Sequence, residues 1–123
     1  MIEWLEKKRY PAIFLTLLIA IEIFYFSSIP GARLMAGNLD LSIAYHLFVF
    51  FLLNFFLLIS VNGSKKIRIK SLIVVLVVSL AYAFLDEIHQ IFVPFRYPDI
   101  GDILINSTGI FISALVYLYY KNR

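Results

Sequence analysis

The sequence predicts an all-α integral membrane protein: a single domain over residues 1–123, built as a four-helix bundle with both termini cytoplasmic. Three observations lead there. Of 123 residues, 62% are hydrophobic and only 15% charged, with a mean hydropathy of +0.89. That is more apolar surface than a soluble domain of this length can bury. Four apolar runs take up nearly the whole chain, each close to the roughly 20 residues that a bilayer core requires. Finally, the 11 Lys+Arg residues are distributed very unevenly around those runs. The same composition argues against a large catalytic domain, a two-domain enzyme or a long disordered tail. The absence of cysteine excludes a disulfide framework and a thiolate metal site.

The first run extends from Tyr10 to Ile29 and is closed by Pro30-Gly31. Lys7-Lys8-Arg9 precede it as they would a signal peptide. No small-x-small cleavage site follows closely, however, and Glu22 interrupts the apolar stretch, so it is expected to be a retained helix. The second run, Leu41 to Val61, ends at Asn62-Gly63-Ser64; the third, Ser71 to Ile91, is broken by Pro94 and Pro98; the fourth spans Ile103 to Tyr120. Four crossings put Lys7, Lys8, Arg9, Lys65, Lys66, Arg68, Lys70, Lys121 and Arg123 on one side and only Arg33 and Arg96 on the other. The positive-inside rule assigns the first group, and with it both termini, to the cytoplasm. The net charge of +3 is then chiefly a topology signal. The basic 62–70 loop lacks interleaved aromatics, which argues against a nucleic-acid partner. Trp4 is expected at the inner interface, and the other aromatics as lipid-facing or packing residues.

The acids and histidines go the other way. Only Glu3 and Glu6 belong to the cytoplasmic end, whereas Glu22, Asp40, Asp86, Glu87, Asp99, Asp102, His46 and His89 fall in the outer half or outer loops. At 1.5 Å per residue, Glu22 comes about 10 Å below the outer boundary, and His46, Asp86 and Glu87 about 6 to 8 Å below it. Each ionisable group costs roughly 2.5–3.5 kcal/mol at a helix centre and less near the interface, so several at one depth imply a shared polar pocket. In the third run Ser79, Tyr82, Asp86, His89 and Gln90 fit within an arc of about 100°, with Glu87 at its margin. In the fourth, Asp102 and Asn106 are four apart. Asp102 suits a helix start, where a carboxylate caps exposed N–H groups. Gly109 and Ser113 have the small-xxx-small spacing of close helix packing. Ser27 and Ser28 read as helix-end caps, and Asn54 as a contact to another helix.

Asp86-Glu87-Ile88-His89-Gln90, followed by Pro94, Arg96, Asp99, Asp102, Asn106 and Gly109, resembles the VanZ-like family of small membrane proteins. The resemblance extends to Phe26-Ser27-Ser28 and to His46 with the aromatic-rich run after it. It departs where family members often carry an Asp-Lys pair before the second-helix histidine: here Ser42-Ile43 stand there, and the nearest acid is Asp40. The resemblance implies a four-helix envelope protein, linked in some members to teicoplanin-type glycopeptide resistance.

The residues themselves leave three functional readings open. In the first, an outer-face hydrolase or group transferase acts on a lipid-linked or envelope substrate. Glu22, His46, Asp86, Glu87 and His89 supply acid–base chemistry, while Gln90, Arg96, Asp99, Asp102 and Asn106 bind substrate or support the helices. His46, His89, Asp86 and Glu87 are also an N/O donor set suited to a divalent metal such as Zn²⁺; a hydrogen-bonded network across helices is the alternative, and no HExxH motif decides between them. Arg96 either clamps an anionic headgroup or pairs with Asp99, Asp102 or Glu87. In the second reading the pocket belongs to a non-catalytic accessory protein that binds a hydrophobic or lipid ligand. The third is a proton- or ion-coupled transporter with Glu22 and Asp86 as relay, which the lack of ionisable residues in the inner helix halves disfavours.

Overall fold

The computed structural model describes residues 1–30 and 39–123, with the backbone alone at 39 and 40. Gly31, Arg33 and the side chain of Asp40 lie outside the described residues. Among those described there are five helices: α1 (Ile2–Lys8), α2 (Tyr10–Ser27), α3 (Leu39–Asn62), α4 (Ile69–Ile91) and α5 (Ile100–Lys121). The last four are long and apolar enough to cross a membrane. They are the four expected runs, with ends shifted by a few residues.

Two of the differences have a clear cause. Helix α5 starts at Ile100 rather than Ile103 because Asp99, not Asp102, is its N-cap: the Asp99 carboxylate accepts from the Gly101 N–H at 2.9 Å. Helix α1 was not foreseen. Its seven residues are too few to register as a span, yet Leu5 and Glu6 are buried against the bundle while Trp4 stays exposed. Arg9 joins α1 to α2 with φ at 46°. Its guanidinium holds this left-handed turn in place by donating to the Ser60 carbonyl at 2.9 and 2.6 Å and to the Val61 carbonyl at 2.8 Å. The last carbonyls of α3 lack intrahelical donors, and a cation at a helix C-terminus also meets the negative end of its dipole. Lys121 joins the same corner, donating to the Gly63 carbonyl at 2.9 Å and pairing with Glu6 at 2.7 Å. Both chain ends therefore meet at one end of the bundle.

Helix α3 is the hub: it packs most extensively against α5 and also against α2 and α4. Two apolar clusters fill the interior. Leu58, Ile59, Val75 and Tyr117 lie towards the chain ends; Ile19, Phe50, Leu53 and Ile110 lie beyond them. Between the two in chain order sits a buried polar node, in which Ser79 donates to Asn54 Oδ1 at 2.8 Å and Asn54 Nδ2 donates to the Ile110 carbonyl and to Ser113 Oγ, both at 3.1 Å. One amide thus ties three helices together, the interhelical role expected of Asn54. Large apolar side chains such as Leu17, Ile21, Val77, Phe84 and Leu115 are exposed, whereas Asn54, Ser79, Asp86, Glu87, Asp102, Asn106 and Ser113 are buried. This inside-out distribution suits a lipid solvent, in which polar groups must find partners within the protein.

The α3–α5 contact closes on Gly109, where an added Cβ would collide with the Leu47 carbonyl oxygen and crowd Phe51 N. Both are backbone atoms, so the helices would have to separate. Gly109→Ala is expected to destabilise the bundle by about 1–3 kcal/mol, the usual cost of overpacking. Exposed Thr108→Ala should change stability little. Thermal unfolding in detergent compares the two.

Candidate functional site

At the end of the bundle opposite the termini, α2, α3 and α4 surround a cleft of about 410 Å³. Ile23, Phe26 and Ser27 come from α2, and Ser42, Tyr45, His46 and Val49 from one face of α3 at helical spacing; Asp86 and Gln90 come from α4, one turn apart. Arg96, from the segment after α4, completes the wall. Most of the lining is apolar, and its polar residues come from all three helices and from Arg96.

Several of these residues are linked in a chain. Gln90 Nε2 donates to Ser27 Oγ at 3.3 Å, and the Ser27 hydroxyl in turn serves the Asp86 carboxyl. His46, His89 and Arg96 are the cationic or titratable groups that act on Asp86. Ser27 and Ser28 do more than cap a helix. Ser28 Oγ donates to the Phe24 carbonyl at 2.7 Å and lies 2.9 Å from His89 Nε2. With its one proton committed to the carbonyl, Ser28 accepts from the ring, which places the His89 proton on Nε2. Phe24 stacks on the same imidazole with ring centroids 4.6 Å apart. His89 is therefore held by α2 beside the cleft and does not line it.

His46 does line it. Its Nδ1 lies 3.1 Å from Asn106 Oδ1. Donation to that oxygen leaves Nε2 as the basic nitrogen of the neutral ring. Asn106 is fully buried, so this contact ties His46 to the interior of α5. Glu87 points towards α5: its Oε2 accepts from the Asp99 N–H at 3.1 Å and its Oε1 from Gln90 Nε2 at 3.4 Å. Asp102 is buried in the first turn of α5. Arg96 donates from Nε to the Ile29 carbonyl at 3.1 Å and from Nη2 to the Phe26 carbonyl at 2.6 Å. It closes the C-terminal end of α2 as Arg9 closes α3, a backbone role that charge counting cannot anticipate.

The ten candidate residues thus separate into groups. His46, Asp86, Gln90 and Arg96 line the cleft; Glu87, His89, Asp99, Asp102 and Asn106 do not. Glu22 is exposed on α2 and does not line the cleft, because its neighbour Ile23 takes the inward position at that turn. Among the described residues, no three His, Asp or Glu side chains come together as a group able to hold a metal ion. The two imidazoles serve different helices, His89 facing Ser28 and His46 facing Asn106, so the donor set proposed for Zn²⁺ is not assembled. Tyr45 and Ser42 line the cleft without being candidates from the sequence. The signal for them was the series Ser42, Tyr45, His46, Val49 at i, i+3, i+4 and i+7, which places all four on one helix face.

Four apolar helices, three of which enclose a cleft at one end of the bundle, define a multi-pass membrane protein. The chain belongs to the VanZ/LLP1 family, whose sequence model matches residues 12–121. No curated protein and no solved structure matches it.

Replacing Arg96 by Met removes the guanidinium from the Ile29 carbonyl and from the Phe26 carbonyl, which keeps only the Ile29 N–H at 3.3 Å, at a cost of about 1–3 kcal/mol. Amide hydrogen exchange should then accelerate over residues 24–29. The Arg9 end of α3 should be unaffected.

Proposed function

We propose that this protein binds an amphipathic, lipid-type envelope molecule in the α2–α3–α4 cleft, with the cleft on the outer face and both termini in the cytoplasm. The orientation rests on the nine-to-two distribution of basic residues about the spans. The observation that carries the ligand class is the make-up of the cleft: Ile23, Phe26 and Val49 give it an apolar wall, and Ser27, Asp86, Gln90 and Arg96 a polar strip. Such a wall suits hydrocarbon. The strip suits a headgroup with a hydrogen-bond donor for Asp86 and an anionic oxygen near Arg96, an arrangement found in phosphoethanolamine-type headgroups. Binding of this kind requires no turnover, and it would change which envelope lipids are accessible from outside, which fits the link of some family members to glycopeptide resistance.

The hydrolase or transferase reading keeps one supporting observation. Asp86 and His46 both line the accessible volume, and His46 is oriented by Asn106 so that its basic nitrogen is not the one bonded to α5. A carboxyl and an imidazole facing one ligand are the parts of a general acid–base pair. Binding and turnover are separable by experiment.

Titration of the purified protein with dioleoyl phosphatidylethanolamine, read by native mass spectrometry, should give saturable one-to-one binding. Ser42→Trp, which fills the cleft, should abolish it. Asp86→Asn, which preserves shape but removes the charge, should weaken it about tenfold, since a charge-assisted hydrogen bond contributes roughly 1.5–3 kcal/mol. Unchanged affinity in both variants rules the cleft out as the lipid site, and release of headgroup or acyl chain by the wild type alone establishes catalysis.

A further inference from the structure

A second depression lies on the opposite side of Tyr45, between α3 and α5, with a volume of about 770 Å³. Ala44, Phe48, Phe51 and Ile112 line it, together with Leu41 and Tyr45, both of which also line the polar cleft. Its floor exists because α5 carries glycine at 109. The two spaces are therefore neighbours that share a wall, one of mixed polarity and one apolar.

The shared wall contains an anomaly. The Tyr45 hydroxyl is buried and has no hydrogen-bond partner among the described residues. Phe26 packs edge-on against its ring at 6.0 Å, and the His46 ring lies at 5.8 Å. A buried hydroxyl without a partner costs roughly 1–3 kcal/mol, and a Phe at 45 would avoid that cost with the same ring. The hydroxyl makes sense if an oxygen brought by a ligand completes it. In a two-chain lipid the oxygens at the boundary between headgroup and hydrocarbon are those of the ester linkages.

We propose that Tyr45 is a ligand-binding residue whose hydroxyl donates to an ester carbonyl of a diacyl lipid, while one acyl chain of that lipid lies in the α3–α5 groove and its headgroup occupies the polar cleft. This rests on the cleft reading above and extends it from a lipid-type ligand to an ester-linked, two-chain one. The groove by itself offers little selectivity, because lipid tails are as apolar as its walls and association in the bilayer gains only packing. The hydrogen bond at the junction supplies the discrimination.

The test compares dioleoyl phosphatidylethanolamine with its diether counterpart, which has the same headgroup and chains but no ester carbonyl. Wild-type protein should prefer the diester about fivefold, the effect of one neutral hydrogen bond. Tyr45→Phe should erase that preference and lower diester affinity by the same factor. Its thermal stability without lipid should be equal to or above that of the wild type, because no internal bond is lost. Ala44→Trp, which fills the groove, should weaken both lipids alike. Equal binding of diester and diether by the wild type, undiminished diester binding by Tyr45→Phe, or a lower melting temperature of lipid-free Tyr45→Phe would each overturn the assignment. If Ser42→Trp still abolishes binding in those cases, the cleft reading survives and only the Tyr45 junction fails. If Ser42→Trp has no effect, both fall.

Discussion

At Gly109 the backbone of α5 lies against the Leu47 carbonyl of α3, with no room between them for even a methyl group. Helices in a bilayer gain little by hiding apolar surface, so close backbone approach and buried hydrogen bonds have to hold them together. The seam between α3 and α5 does both. About one turn from Gly109 towards the cleft, Asn106 meets His46; on the other side, Ile110 and Ser113 meet Asn54, which also binds Ser79 of α4. A wider seam would loosen both contacts, and with them the orientation of the imidazole that faces the cleft.

The two ends of the bundle solve the same problem in the same way. A helix end leaves carbonyls unbonded, and near a lipid phase they need a donor from the protein. Arg9 supplies it for α3 and Arg96 for α2. Their surroundings set them apart. Arg9 sits in a closed corner with Glu6 and Lys121 nearby, whereas Arg96 also forms part of an open cleft. The structural duty of Arg96 thus brings a guanidinium to the cleft that Asp86 also lines, and a bonded cap becomes part of its wall.

Much of the fold was legible before any coordinates. Apolar length gave four spans, Gly109 and Ser113 gave the packing seam, and the spacing of Ser79, Asp86 and Gln90 gave the buried face of α4. Hydropathy and helical periodicity are local properties, and in a membrane they translate almost directly into structure. The seven-residue α1 was not visible, since so short a helix exists only through burial of Leu5 and Glu6 against the other helices. The cap of α5 also went to a different carboxylate, because Asp99 and Asp102 are equivalent until the direction of the chain after Pro98 is known.

For the site the division is sharper. The sequence alone determined that the polar residues gather at one end, since their positions along four spans fix their depth, and that they carry the pattern of the VanZ/LLP1 family. Tertiary structure decided which of them face a common space. It turned Glu22 outward, committed Glu87 to the start of α5 and His89 to Ser28, and left His46, Asp86, Gln90 and Arg96 around the cleft. Depth follows from residue number at 1.5 Å per residue. The direction a side chain faces depends on how each helix is rotated against its neighbours, and that rotation is set by contacts such as Gly109 on Leu47 between residues far apart in the chain.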